Sequence, residues 1–135
     1  MKTLSKSKFK SLYLKMNLSH HPFNRMSKYL EWCFKDVVFE NKNVLDIGGG
    51  NGIFSFYAKF KGANKVINLE PFADGSTLFD FDGKDIDHEF RIILKNNTLQ
   101  EYETKEKFNI IILHDSINHL DEGVFEKIHK SEKAM

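Results

Sequence analysis

Four glycines fall within five residues at Gly48-Gly49-Gly50-Asn51-Gly52, directly after the apolar run Val44-Leu45-Asp46-Ile47. Glycine is needed where the backbone takes positive φ, or where a ligand must approach it without a Cβ in the way. At the end of a strand such a turn makes a floor for a nucleoside. A helix beginning near Gly52 points its free N–H groups at whatever sits there. Glu70 closes the next apolar run, Val66-Ile67-Asn68-Leu69, and an acid at that place can take both hydroxyls of a ribose. A phosphate-cradling loop needs Lys and then Ser or Thr after its last glycine, and Ile53-Phe54 stand there instead. A dinucleotide fingerprint needs G-x-G-x-x-G/A. Counting from Gly48 puts Ile53 in its last place, and counting from Gly50 puts Ser55 there. What survives is acid-x-G-x-G-x-G over Asp46, Gly48, Gly50 and Gly52. The blander alternatives are a plain strand-to-helix turn for the glycines and a solvated strand-end acid for Glu70.

A second group of chemistry-bearing residues follows the later run Phe108 to Leu113. His114, Asp115 and His119 lie where a general base could act, with His119 the first choice. Each could equally be a capping or solvated residue on the loop before Asp121. No H-E-x-x-H spacing accompanies them, so a metal site is not expected. Asp80, Asp82 and Asp85 with Gly83 lack the glycine position and final glutamate of a calcium loop, and a polar turn is expected there.

These residues need elements to hold them. Phe9, Leu12, Tyr13 and Met16 recur at helical spacing. So do Met26, Tyr29, Leu30, Cys33 and Val37, which predict a helix over residues 24–38 with Asn24 as its cap and Pro22 just before it. Strands are expected at 44–47, 66–69, 90–94 and 108–113, with a helix from Ile53 that Gly62 ends. A further helix is expected from Asp121, and residues 72–88 should be a helix with loops. Strand–helix–strand repeats with nearly continuous apolar strands imply an α/β fold with a parallel sheet covered on both faces.

Asp46, Gly48, Gly50, Gly52 and Glu70 together resemble motif I and its partner acid in class I S-adenosylmethionine-dependent methyltransferases. The resemblance runs from about residue 43 to about residue 122. It implies a Rossmann-like doubly wound parallel sheet and S-adenosylmethionine as cofactor. It also implies that Asp46 sits near the cofactor's methionyl part, that the three glycines allow close approach, and that Glu70 binds the ribose. Asn97-Thr98 follows the third strand, where the family places a polar residue near the adenine; Asn97 replaces the usual acid. Phe108 to Leu120 resembles motif IV, with Asn109 where the family often has Asp. His119-Leu120 matches a pair frequent in the branch that acts on small molecules. The implied reaction is methyl transfer to a small-molecule acceptor. The family's sheet normally has seven strands and four are found here, with an implied spatial order of 3-2-1-4. Residues 24–135 are therefore expected to be the N-terminal portion of a methyltransferase domain, truncated after the fourth strand. On this view the chain could instead be a non-catalytic cofactor-binding or interaction fragment. The edge formed by Ile110-Ile111-Ile112-Leu113 would then need a partner or a second copy as cover.

The 135 residues permit one domain, and an apolar content of 41% with 29% charged residues argues against wholesale disorder. No apolar run is long enough to cross a membrane, so no membrane insertion is expected. A single Cys excludes an internal disulfide, and with it a cytoplasmic location is expected. The formal net charge of +1 hides an asymmetry, because residues 1–30 carry seven Lys or Arg and no acid. Residues 1–23 are thus a basic amphipathic segment that could meet anionic lipid or RNA. The favoured alternative is a helix packed on the body of the domain, its lysines in solvent. The body lacks a basic stripe, so a nucleic-acid partner and RNA methylation rank below the small-molecule reading.

Overall fold

The computed structural model describes residues 5–48, 52–70, 90–95 and 101–113. In chain order the elements are α1 (Lys6–Met16), α2 (Phe23–Cys33), β1 (Asn43–Ile47), α3 (Ile53–Phe60), β2 (Lys65–Leu69), β3 (Ile93–Lys95) and β4 (Ile110–Ile112). The strands form one parallel sheet in the order β3-β2-β1-β4. This is the order the sequence implied.

Helix α1 starts where Ser5 accepts a hydrogen bond from the Lys8 amide through its side-chain oxygen, 3.2 Å. It stops at Asn17, which takes a left-handed conformation at φ 53°. Phe9, Leu12 and Tyr13 are buried along one face, as their spacing predicted. Phe9 lies flat against Phe60 of α3 at 4.7 Å between ring centres, and meets Phe23 and Tyr57 edge-on. The basic N-terminal helix therefore packs on the body of the domain. This dense ring cluster is where the chain's 13 phenylalanines begin to be used.

Helix α2 differs from its sequence reading. It begins at Phe23, with Pro22 as the capping residue and no side-chain cap, so Asn24 lies inside the helix. The fixed φ of proline pre-sets the first turn without needing an Asx cap. The helix also ends early, at Cys33, and Phe34 leaves helical geometry at φ −115°. The ring of Phe34 is taken up against Phe39, Phe54 and Tyr57. The buried stripe is Phe23, Ser27 and Leu30, while Tyr29 is exposed.

Strands β1 and β2 have every residue after the first buried. Alternation divides their side chains between the faces. Val44, Val66, Ile110 and Ile112 join the helical cluster. Leu45, Ile47, Ile67 and Leu69 form a second cluster with Tyr102 and Phe108. Helix α3 crosses from β1 to β2 and ends at Gly62, φ 99°, where Ala63 N–H donates to the Ala58 carbonyl and Gly62 N–H to that of Lys59. A β-carbon at that φ would clash, so glycine closes this turn.

Two strands are shorter than the apolar runs suggested. β3 begins at Ile93, and Phe90 precedes it, buried in the aromatic cluster beside Phe9. β4 covers only Ile110–Ile112, with Phe108 outside it in the second cluster. Apolar runs report burial, and here burial extends beyond the hydrogen-bonded ladder.

Candidate functional site at the carboxyl end of the sheet

Parallel strands deliver their carboxyl ends to one side of the sheet, and Asp46 and Glu70 both fall there. The lacing continues past the strands. Gly48 N–H donates to the Leu69 carbonyl at 2.8 Å, and Glu70 N–H to the Lys95 carbonyl at 3.0 Å. Gly48 is exposed at φ 66°, and Gly52 is buried at φ 89° and caps α3. The end of the strand and the start of the helix are thus both marked by left-handed glycines. Both positions need glycine's freedom, which fits the pattern read from the sequence.

Asp46 is 1% exposed, and its placement follows from strand alternation. It pairs in register with Asn68 on β2, so both side chains lie on the helical face, below the first turn of α3. Ser55 on that turn meets them. Its hydroxyl donates to Asp46 Oδ2 at 2.7 Å, and Asn68 Nδ2 donates to Ser55 Oγ at 3.0 Å. The Ser55 backbone N–H also donates to the Asp46 carboxylate. Burial pushes the Asp46 carboxyl up from 3.8 to about 6, the Ser55 hydrogen bonds oppose this, and the negative charge of Glu70 adds to it. A carboxylate in this position gains from a positive charge brought near it. Asn68 Oδ1 is buried and has no hydrogen-bond partner among the described residues.

Of the residues singled out in the sequence, Asp46, Gly48, Gly52 and Glu70 come together at this end of the sheet. Gly50, Asn97, Thr98, His114, Asp115 and His119 lie outside the described residues, as do the Asp80 to Asp85 segment and the helix expected from Asp121. Asn109, matched to the family's motif IV, lies at the opposite end. Its Oδ1 accepts from the Asn43 amide at 2.8 Å, and Asn64 Nδ2 donates to Asn43 Oδ1 at 2.9 Å, so three asparagines tie the amino ends of the strands. Ser55 and Asn68 were missed. The available signal was Asn68, a lone polar residue inside the buried run Val66 to Leu69. Among the described residues no cluster of His, Cys, Asp or Glu could hold a metal, and no helix is long and apolar enough to cross a membrane.

A parallel sheet of this order, with a glycine turn after its first strand and an acid after its second, defines the Rossmann-like α/β class that binds nucleosides at strand ends. A family model described as a methyltransferase domain matches residues 18–129, and the chain belongs to that family. No curated protein matches the chain. Its fold is similar to DhpI in complex with SAM and HEP, at 13% identity and a TM-score of 0.51 over 93% of this chain and 56% of that one. It is also similar to a provisionally assigned RNA methyltransferase from Pyrococcus horikoshii, at 22% identity and a TM-score of 0.50 over 84% of this chain and 58% of that one. A provisionally assigned S-adenosylmethionine-dependent methyltransferase from Listeria monocytogenes aligns at 19% identity and a TM-score of 0.47, over 65% of this chain and 43% of that one. The chain thus spans well under two thirds of the length of each of these proteins.

Proposed function

We propose that this chain binds S-adenosylmethionine at the carboxyl end of its sheet and serves methyl transfer to a small-molecule acceptor. The observation that carries this is the buried Asp46 carboxylate beneath a glycine turn, with Glu70 one strand away. The cofactor's methionyl end is cationic, and a desolvated carboxylate favours such a neighbour. Asp46 holds that end electrostatically. Gly48, Gly50 and Gly52 let the backbone approach the cofactor closely. Glu70 accepts from the ribose hydroxyls, and Asn97 and Thr98 line the adenine. When bound, the cofactor supplies a methyl group already activated by the positive sulfur. The protein's part is to position the acceptor in line and exclude water. His119, with His114 and Asp115 beside it in sequence, takes a proton from the acceptor where one must leave.

Calorimetric titration with S-adenosylmethionine tests this. Binding by the wild type and its loss in Asp46→Ala are expected; no heat with folded protein refutes it. A second reading is cofactor binding without turnover unless a partner or further segment completes the site. The share of each relative that the chain covers, 56% and 58% for the two with the higher TM-scores, favours it. Among the described residues β4 pairs only with β1. Light scattering separates these readings: a monomer that turns over removes the second.

A further inference from the structure

Asp46, Ser55 and Asn68 are each at most 1% exposed, and they belong to three different elements. Buried polar side chains are costly unless paired, so a linked set of three invites a reason. The donor count fixes the direction of the chain. A serine hydroxyl has one hydrogen to give. Asn68 Nδ2 already points at Ser55 Oγ, so that hydrogen goes to Asp46 Oδ2, and donation runs Asn68 to Ser55 to Asp46. This order suits an ionised Asp46, which can only accept. It also leaves Asn68 Oδ1 without a partner among the described residues.

The opposite order is open to the same three side chains. A half-turn of the Asn68 amide exchanges Nδ2 and Oδ1 and presents an acceptor to Ser55. The hydroxyl then donates to Asn68, and Ser55 Oγ accepts from a protonated Asp46. Both links survive in each charge state, without movement of the backbone. We propose that Ser55 and Asn68 are positioning residues that hold the Asp46 carboxyl in one place in both charge states and favour the ionised form needed by a cationic ligand. This rests on the reading of Asp46 as the residue facing the methionyl end of S-adenosylmethionine. Neither Ser55 nor Asn68 needs to touch the cofactor. Their effect is on the charge and orientation of Asp46. Glu70, after β2, is the one other ionisable group among the described residues that acts on that carboxyl, and it opposes ionisation. From α3 the groups facing Asp46 are the hydroxyl and amide of Ser55, and the register neighbour on β4 is Ile112.

The test has two arms. Carboxyl-carbon NMR follows the titration of Asp46 in the free protein, and calorimetry follows S-adenosylmethionine affinity against pH. Ser55→Ala removes the side-chain donor, and the Asp46 midpoint is expected to rise by about one pH unit, with about tenfold weaker binding at neutral pH. Ser55→Thr keeps a hydroxyl and should restore both. Asn68→Leu, close to asparagine in volume, should shift the midpoint the same way by less, and it carries the test if the serine variant does not fold. Coincident midpoints in wild type, Ser55→Ala and Asn68→Leu overturn the proposal. Shifted midpoints in the free protein with no binding of S-adenosylmethionine by wild type uphold the relay and sink the cofactor reading instead.

Discussion

Replacing Asp46 by asparagine should make the protein more stable at neutral pH than the wild type. In an unfolded chain the carboxyl titrates at 3.8, and in the folded protein at about 6. The folded state therefore binds this proton more tightly than the unfolded state does. The resulting contribution to stability is whole below the unfolded value and is lost as pH rises through about 6. Its full size is about 3 kcal/mol. Roughly half of that disappears between about pH 5 and about pH 8. Asparagine cannot ionise, yet its amide oxygen can still accept from the Ser55 hydroxyl, so the substitution removes the titration and keeps the contact. Urea unfolding of both proteins across this range gives the measurement. Titrating groups that do not act on Asp46 are common to both and cancel in the difference. The wild type is expected to lose roughly half of that contribution, on the order of 1 kcal/mol, relative to Asp46→Asn on going from the lower pH to the higher. Parallel stability curves would refute the buried state of this carboxyl. Asp46→Asn should also bind S-adenosylmethionine more weakly, so the change that stabilises the fold costs the site its charge.

Three further outcomes are expected. Phe9→Ala should lower unfolding free energy by about 3–5 kcal/mol, because its ring is fully buried among Phe23, Tyr57 and Phe60; a change under 1 kcal/mol in urea unfolding, roughly that of a surface site, would contradict the packing of α1 on the body. Gly52→Val places a β-branched side chain at φ 89°, and calorimetry should show loss of S-adenosylmethionine binding with destabilisation of about 1–2 kcal/mol; unchanged binding would separate this glycine from the site. Glu106→Gln breaks an ion pair with Lys65 at 2.8 Å whose partners are 37% and 38% exposed; after solvent screening its effect on stability should be about 0.5 kcal/mol or less, and a larger loss in thermal unfolding would mark the pair as structural.

Much of the site was legible because its signals are local. Glycines in a strand-to-helix turn and an acid closing the next run are statements about backbone geometry, and geometry of that kind is written in neighbouring residues. Helix α1 was legible for the same reason, through the spacing of Phe9, Leu12 and Tyr13. The ends of elements were less so. Proline rather than Asn24 starts α2, and Phe34 ends it because its ring finds Phe39, Phe54 and Tyr57, which are distant or separate in sequence. Phe90 read as strand and proved to be core, since apolar character does not say whether a backbone is paired.

By itself the sequence determined the α/β class and, by resemblance, the order of the sheet and the turn proposed as the floor of the site. The class and the turn follow from period and the conformational freedom of glycine, which act over a few residues, and the order follows from the resemblance alone. Only the tertiary structure decided what Asp46 is. A carboxylate at a strand end is ordinary in sequence. Paired in register with Asn68 and capped by Ser55 from the next helix, it becomes a buried group whose charge depends on two side chains nine and twenty-two positions away. Register and burial are properties of packed elements, and no local pattern contains them.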